Sequence, residues 1–330
     1  MTDFAYREND WTFAPAARSA VASGSPYAHS GAVPGYADPA ALAEALAAAG
    51  YLADEGLAVA GFLALKLHRP IFLEGDAGVG KTAFASALAE ATGLPLVRLQ
   101  CYEGLDAAQA LYDWDFPRQV LHLRAVEAAA GGAKTAEELE AGLYDRRFLV
   151  ARPLLQAIEQ APCVLLIDEV DRADDEFEAF LLELLADAAV TVPELGRIAA
   201  AEPPLVVVTS NRTREVHDAL KRRCLYHWVG HPAPEREAAI LRIRLPEVTE
   251  RLAVQIAGAT ARLRALDLVK PPGVAEAVDW AAAVGALGAT ALSAEITALT
   301  LGAVLKVRED IDRVRALPPE DLVEAAADAP

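Results

Sequence analysis

Gly75-Asp76-Ala77-Gly78-Val79-Gly80-Lys81-Thr82 stands between the apolar run Ile71, Phe72, Leu73 and the helix-forming stretch Ala83 to Ala91. Strand, glycine loop and helix, in this order, form the setting in which a chain wraps a phosphate. Glycines let backbone N–H groups turn inward around an anionic oxygen. A lysine at Lys81 reaches the outer phosphates, the Thr82 hydroxyl suits Mg²⁺, and the helix that follows adds its positive end. The competing reading, a plain glycine-rich turn, leaves Lys81 and Thr82 as coincidences. Residues 75–82 are therefore the candidate nucleotide-binding loop, with ATP and Mg²⁺ as the expected ligands.

Downstream, Leu165-Leu166-Ile167-Asp168-Glu169 reads as a buried strand that delivers two carboxylates at its C-terminal end. That is where α/β sheets bind ligands. ATP hydrolysis uses such a pair, one acid for the Mg²⁺ shell and one for the attacking water. Asp168 is assigned to the metal and Glu169 to the water; the alternative is a solvated acidic strand end. Thr209-Ser210-Asn211 closes the next apolar strand, and the Asn211 amide suits both the attacking water and the γ-phosphate. Asn is also common in helix caps and Asx turns. Lys221-Arg222-Arg223 precedes a fifth strand. Arg222 or Arg223 suits a role in trans, reaching phosphates held by a neighbouring subunit, because a guanidinium is always charged and grips phosphate bidentately. A solvated basic helix end is the alternative.

The chain has 330 residues, enough for one large domain or two smaller ones, and its 54% hydrophobic content owes much to alanine. No stretch has the roughly 18 strongly apolar residues that a membrane span needs. Met1 to Asp10 has no basic segment followed by an apolar run, so no secretory leader is expected. Cys101, Cys163 and Cys224 lack metal-ligand spacing. Together these features predict a cytoplasmic protein. A net charge of −18 argues against a general nucleic-acid surface. The histidines His68, His122, His217, His227 and His231 read as surface or structural groups, and Tyr102, Tyr112, Trp114 and Phe116 as an aromatic cluster that packs or meets protein.

Residues 1–38, rich in Ala, Ser, Gly and Pro, read as an irregular arm. Helices are expected at Pro39–Ala49 and Leu52–Leu67, then strands at Pro70–Glu74, Pro95–Leu99, Val164–Ile167, Leu205–Thr209 and Leu225–Val229. Further helices are expected at Thr135–Leu143, Pro153–Gln160, Asp174–Ala186 and Glu215–Lys221, with a short hairpin at Val190–Ile198. Past residues 231–234 strand-like runs vanish, and Glu235–Leu245, Pro246–Leu266, Gly273–Leu287 and Ser293–Val307 have helical spacing. The reading is an α/β nucleotide-binding domain over 39–232, with an insert within about 104–147, then a helical domain over 233–330 that ends in a frayed tail.

With these elements in this order, residues 38 to 320 resemble the AAA+ ATPases of the MoxR-like branch. Leu73 to Thr82, Arg98 to Asp106, Leu111 to Asp115, Leu166 to Ala173, Thr209 to Glu215 and Ala219 to Trp228 resemble its CoxD-like subgroup, found with carbon monoxide dehydrogenase and related molybdenum hydroxylases. The resemblance implies a P-loop NTPase core with a five-stranded parallel sheet in the order 5-1-4-3-2, a helical lid, and a homo-oligomeric, usually hexameric ring. It also implies an insert after the second strand and a second hairpin that face a client. A von Willebrand factor A domain partner and a molybdenum hydroxylase client come with it. One departure stands out. Related ATPases carry a lid arginine in a Ser-Pro-Arg-like turn, whereas Lys270-Pro271-Pro272-Gly273-Val274-Ala275-Glu276 has none. Glu276 falls near the usual position, and Lys270 is a candidate substitute.

The leading expectation is an ATP-hydrolysing chaperone that matures a partner metalloenzyme. A nucleotide-gated scaffold with little turnover is the alternative that the arginine-free lid motivates. A DNA-acting motor is disfavoured by the acidity of the chain.

Overall fold

Successive strand residues face opposite sides of a sheet, and a parallel sheet covered on both sides therefore reads as continuous apolar runs. The computed structural model describes residues 35–130, 142–318 and 322. Helices α1 (Pro39–Ala48) and α2 (Glu55–Leu67) precede β1 (Ile71–Glu74), α3 (Lys81–Thr92) and β2 (Leu96–Gln100). Next come α4 (Ala107–Leu111), β3 (Tyr112–Trp114), α5 (Phe116–Ala130), β4 (Leu149–Ala151) and α6 (Pro153–Glu159). The chain continues through β5 (Val164–Asp168), α7 (Asp175–Asp187), β6 (Ala189–Val192), β7 (Gly196–Ala199), β8 (Leu205–Ser210), α8 (Asp218–Arg223) and β9 (Leu225–Trp228). Among the described residues only helices follow: α9 (Pro234–Arg244), α10 (Glu250–Ala265), α11 (Val274–Ala286), α12 (Ala294–Val304) and α13 (Arg308–Arg315).

Five strands form one parallel sheet in the order β2-β5-β8-β1-β9. Counting only these strands, that is the expected order 5-1-4-3-2 read from the other edge. The fold is thus an AAA+-like α/β core followed by C-terminal helices. The two faces bury separate sets. Phe72, Leu99, Leu165, Ile167 and Val208 lie in one cluster, and Ile71, Leu73, Val164, Leu166 and Val207 in another beneath α3. The pair β6 and β7 forms the hairpin expected at Val190–Ile198.

Between β2 and β5, helices α4 and α5 fall within residues 103–130, a stretch with helix potential, and it is the pairing of β3 with β4 that departs from expectation. Residues 104–147 contain α4, β3 and α5, and β3 pairs antiparallel with β4, Tyr112 opposite Ala151 and Trp114 opposite Leu149. A three-residue strand carries too little alternation to be read from sequence. The proposed aromatic cluster splits. Trp114 packs edgewise on Tyr112 and on Tyr144, at 6.0 and 5.3 Å, while Tyr102 and Phe116 are exposed. The arm up to residue 34, residues 135–141 of the expected helix Thr135–Leu143 and most of the C-terminal tail lie outside the described residues.

The later helices have their own core around Trp280, which is fully buried and donates Nε1–H to Thr300 Oγ1 at 2.7 Å. Thr249 and Ser293 cap α10 and α12 through their side-chain oxygens. No helix among the described residues is long and apolar enough to cross a membrane. Trp280→Ala is expected to destabilise the protein by about 3–5 kcal/mol, because a large buried ring leaves a cavity; urea unfolding followed by circular dichroism measures the loss.

Candidate active site

The loop after β1 is shaped by close backbone approach. A Cβ on Gly75 would stand 2.2 Å from the Val229 carbonyl oxygen, so no side chain fits there. Gly80, which caps α3, has φ 100°, a conformation that only glycine adopts without strain. Lys81 is buried and curls back over the loop, its Nζ donating to the carbonyls of Gly75 at 2.8 Å and Asp76 at 2.6 Å. Burial lowers the pKa of its ammonium, and the carboxylates of Asp171, Asp168, Asp76 and Glu169 pull it back up.

Thr82 opens α3 and donates its hydroxyl to Asp168 Oδ1 at 2.9 Å, although the two are 86 positions apart. Asp168 ends β5 and is 2% exposed. Thr209 Oγ1 donates to its Oδ1 at 2.6 Å, and Arg98 Nη2 to its Oδ2 at 2.7 Å. The Thr209 hydroxyl also accepts the backbone N–H of Glu169 at 2.8 Å. That contact fixes Glu169 in the left-handed region at φ 54°, where a side-chain-bearing residue costs about 1–2 kcal/mol. The Glu169 carboxylate accepts from Asn211 Nδ2 at 2.9 Å, from Gln100 Nε2 at 3.1 Å and from Arg172 Nη1 at 3.2 Å. The three strand ends therefore gather Thr82, Asp168, Glu169 and Asn211 into one hydrogen-bonded group.

Asp171 braces this group. Its carboxylate accepts the backbone N–H of Asn211 at 3.1 Å and that of Thr213 at 2.8 Å, together with the Thr213 hydroxyl at 2.7 Å. Burial pushes its pKa up, but the hydrogen bonds from Thr213 and Asn211 outweigh it and hold the group below its ordinary value. Sequence reasoning assigned no role to Asp171, Thr209, Arg98 or Gln100. The alternation of Arg98 and Gln100 with the buried Val97 and Leu99 was the available signal, since it puts both polar residues on one face of β2.

The helical part closes on the loop through backbone. The N–H groups of Val274 and Ala275 donate to the Gly78 carbonyl at 3.0 and 3.2 Å. Glu276 accepts the Gly273 N–H at 3.0 Å, and a Cβ on Gly78 would come within 2.9 Å of its Oε2. Glu276 thus reaches the loop with a negative charge. Lys270 is exposed, and its backbone N–H is held by Asp310. Arg264 holds this turn from α10, donating Nε–H to the Pro272 carbonyl at 2.7 Å while its other nitrogens meet Glu237 at 2.7 Å. Glu237 is fully buried; desolvation raises its pKa and Arg264 opposes the rise. His231 approaches Asp76 at 3.4 Å, and burial together with Arg264 lowers its pKa.

Arg222 and Arg223 are not brought to this group. They end α8, which leads into the N-terminal end of β9, whereas the glycine loop leaves the C-terminal end of the parallel strand β1. Arg223 donates to the Leu182 carbonyl, and Arg222 is exposed. Lys221, of the same basic run, is spent on Glu74 at 3.2 Å.

The Thr82 hydroxyl and the Asp168 carboxylate are hard oxygen donors of the kind Mg²⁺ takes. No three His, Cys, Asp or Glu side chains converge on a metal position among the described residues. The two donors therefore fit a Mg²⁺ ion that completes its shell with water and, where a nucleotide is bound, with phosphate oxygens.

Residues 70–224 match the family model of the AAA domain (dynein-related subfamily). Forty-eight residues are 52% identical to Midasin of Giardia intestinalis, over 14% of this chain and 1% of that protein. A stretch of 191 residues is 25% identical to Nuclear valosin-containing protein-like of Mus musculus, over 54% of this chain and 18% of that protein. The chain thus spans less than a fifth of the length of either relative. It carries an AAA+ ATPase domain related to the dynein-type AAA proteins.

Thr209→Val removes the hydroxyl that joins Asp168 to the Glu169 backbone. The change leaves the Glu169 N–H without its partner and takes one of three donors from Asp168, which keeps Thr82 and Arg98; the expected cost is about 1–3 kcal/mol. Thermal melting should show the loss for Thr209→Val and much less of it for Thr209→Ser.

Proposed function

We propose that this chain is the Mg²⁺-dependent ATPase subunit of a MoxR-type, CoxD-like protein-remodelling chaperone. In this reading it converts ATP and water to ADP and phosphate within a homo-oligomeric, hexameric ring in the cytoplasm. Its client is a metalloenzyme, a molybdenum hydroxylase, reached together with a von Willebrand factor A domain partner. The observation that supports the ATPase part of the reading is the paired contact of Thr82 with Asp168 and of Asn211 with Glu169 at adjacent strand ends beside the glycine loop; ring, partner and client follow from the resemblance alone.

The loop 75–82 binds the phosphates, with its N–H groups and Lys81 opposing their charge. When bound, magnesium supplies charge neutralisation at the outer phosphate oxygens; Thr82 and Asp168 would hold it. Glu169 orients the attacking water and accepts its proton, and Asn211 keeps that carboxylate aimed. Of the two α8 arginines, Arg222 is the better candidate for reaching a neighbouring subunit, because Arg223 is already engaged with Leu182. The insert containing α5 and the β6–β7 hairpin are the client-facing candidates in this reading.

A second reading, a nucleotide-gated scaffold with little turnover, is favoured by Glu276, an acid where related lids carry an arginine, standing against Gly78. Two variants separate the readings. Lys81→Ala is expected to weaken binding of a fluorescent ATP analogue roughly 10–100-fold, the loss of one buried charge-assisted contact; unchanged affinity would remove the site assignment. Glu169→Gln is expected to keep binding while turnover falls roughly 100-fold or more. A wild-type rate no higher than that of Glu169→Gln would favour the scaffold. Affinity capture with the Glu169→Gln protein and ATP then identifies the client, and native mass of the captured assembly reports ring size. Co-purification of DNA machinery in place of a metalloenzyme would refute the client assignment.

A further inference from the structure

Strand β2 lies at the sheet edge, with Gln100 opposite Asp168 and Arg98 opposite Leu166. Arg98 and Gln100 consequently share the face on which Asp168 presents its carboxylate. The Arg98 guanidinium sits 2.7 Å from Asp168 Oδ2, and the same Nη2 donates to Gln100 Oε1 at 2.7 Å. The pair is asymmetric: the Arg98 side chain is 53% exposed and that of Asp168 3%. A cation at the surface is exchanged for water at small cost, whereas a buried carboxylate that loses its cation is left uncompensated. Lys81 does not take this place, since its hydrogen bonds go to the carbonyls of Gly75 and Asp76. Arg172, a second cation nearby, is committed to Glu169.

We propose that Arg98 is the resident counter-ion of Asp168 in the metal-free protein, and that a divalent cation loads the site by taking Asp168 from Arg98. This rests on the reading of Thr82 and Asp168 as magnesium ligands. The exchange needs little rearrangement. Gln100 Oε1 remains as a second anchor for the guanidinium, so Arg98 moves off Asp168 without losing every partner. Asp168 keeps hydrogen-bond partners when Arg98 leaves Oδ2, because Thr209 donates to Oδ1 and the Thr82 hydroxyl lies 2.9 Å from Oδ1 and 3.2 Å from Oδ2. Arg98 is therefore a positioning residue. It keeps an isolated buried carboxylate compensated and oriented until the metal arrives, and it sets the metal concentration at which loading occurs.

The test uses the full chain without nucleotide, stripped with EDTA and titrated with MgCl₂ while its melting temperature is followed. The wild-type midpoint is expected to respond only weakly. Arg98→Gln is expected to start several degrees lower and to climb with MgCl₂, its half-saturating concentration lying roughly tenfold or more below that of wild type. Arg98→Lys, which offers a single point charge in place of a fork, should fall between the two, and it carries the test if Arg98→Gln does not fold. The double variant Arg98→Gln with Asp168→Asn should not respond. Equal half-saturation in wild type and the Arg98 variants would overturn the proposal, and so would a double variant that still responds. The titration contains no nucleotide, so its outcome is independent of the Lys81→Ala binding measurement that tests the ATPase reading.

Discussion

The burial of Asp168 is the constraint on which the site depends. A carboxylate that is 2% exposed persists only with its lone pairs occupied and its charge opposed. Thr82 from α3, Thr209 from β8 and Arg98 from β2 supply these contacts. Only the strand order β2-β5-β8-β1 brings them together, since β8 lies between β5 and the strand that carries the glycine loop. One hydroxyl, that of Thr209, serves both acids at once, donating to Asp168 and accepting from the Glu169 backbone. Beside this contact Glu169 keeps a left-handed backbone, and its carboxylate meets Asn211 and Gln100.

The helical part meets the site with a different chemistry from the one its resemblance implied. It touches the glycine loop through two backbone N–H groups on the Gly78 carbonyl, with the acid Glu276 beside them. The turn that carries this contact is held from behind by Arg264, whose charge is matched by the fully buried Glu237. An arginine is thus present in the helical part near the loop, but it is committed to structure.

The strongest sequence signals were local. Glycine spacing before Lys81 and Thr82, the apolar run that ends in Asp168 and Glu169, and the strand that ends in Thr209-Ser210-Asn211 are each legible within about ten residues, because strand burial and loop conformation impose short-range patterns. Element bounds fell within a few residues of expectation for the same reason, with β5 and β8 running one residue further than read. The three-residue strand β3 escaped because it is too short to show a period. Helix α13 lies beyond the helical spacing that ends at Val307, and with only Ile311 and Val314 apolar among its eight residues it is too short and too charged to show a period.

By itself, the sequence determined that a glycine loop, an acid pair and an asparagine at a strand end follow one another on alternating strands and helices. The tertiary structure decided which charges meet. It seated Arg98 on Asp168 across 70 positions and Arg264 on Glu237 across 27, and it kept Arg222 and Arg223 away from their own chain's glycine loop. Burial and periodicity are properties of neighbouring residues and are written along the chain. Ion pairing depends on which strands lie side by side, and that order is settled only when the sheet closes its core.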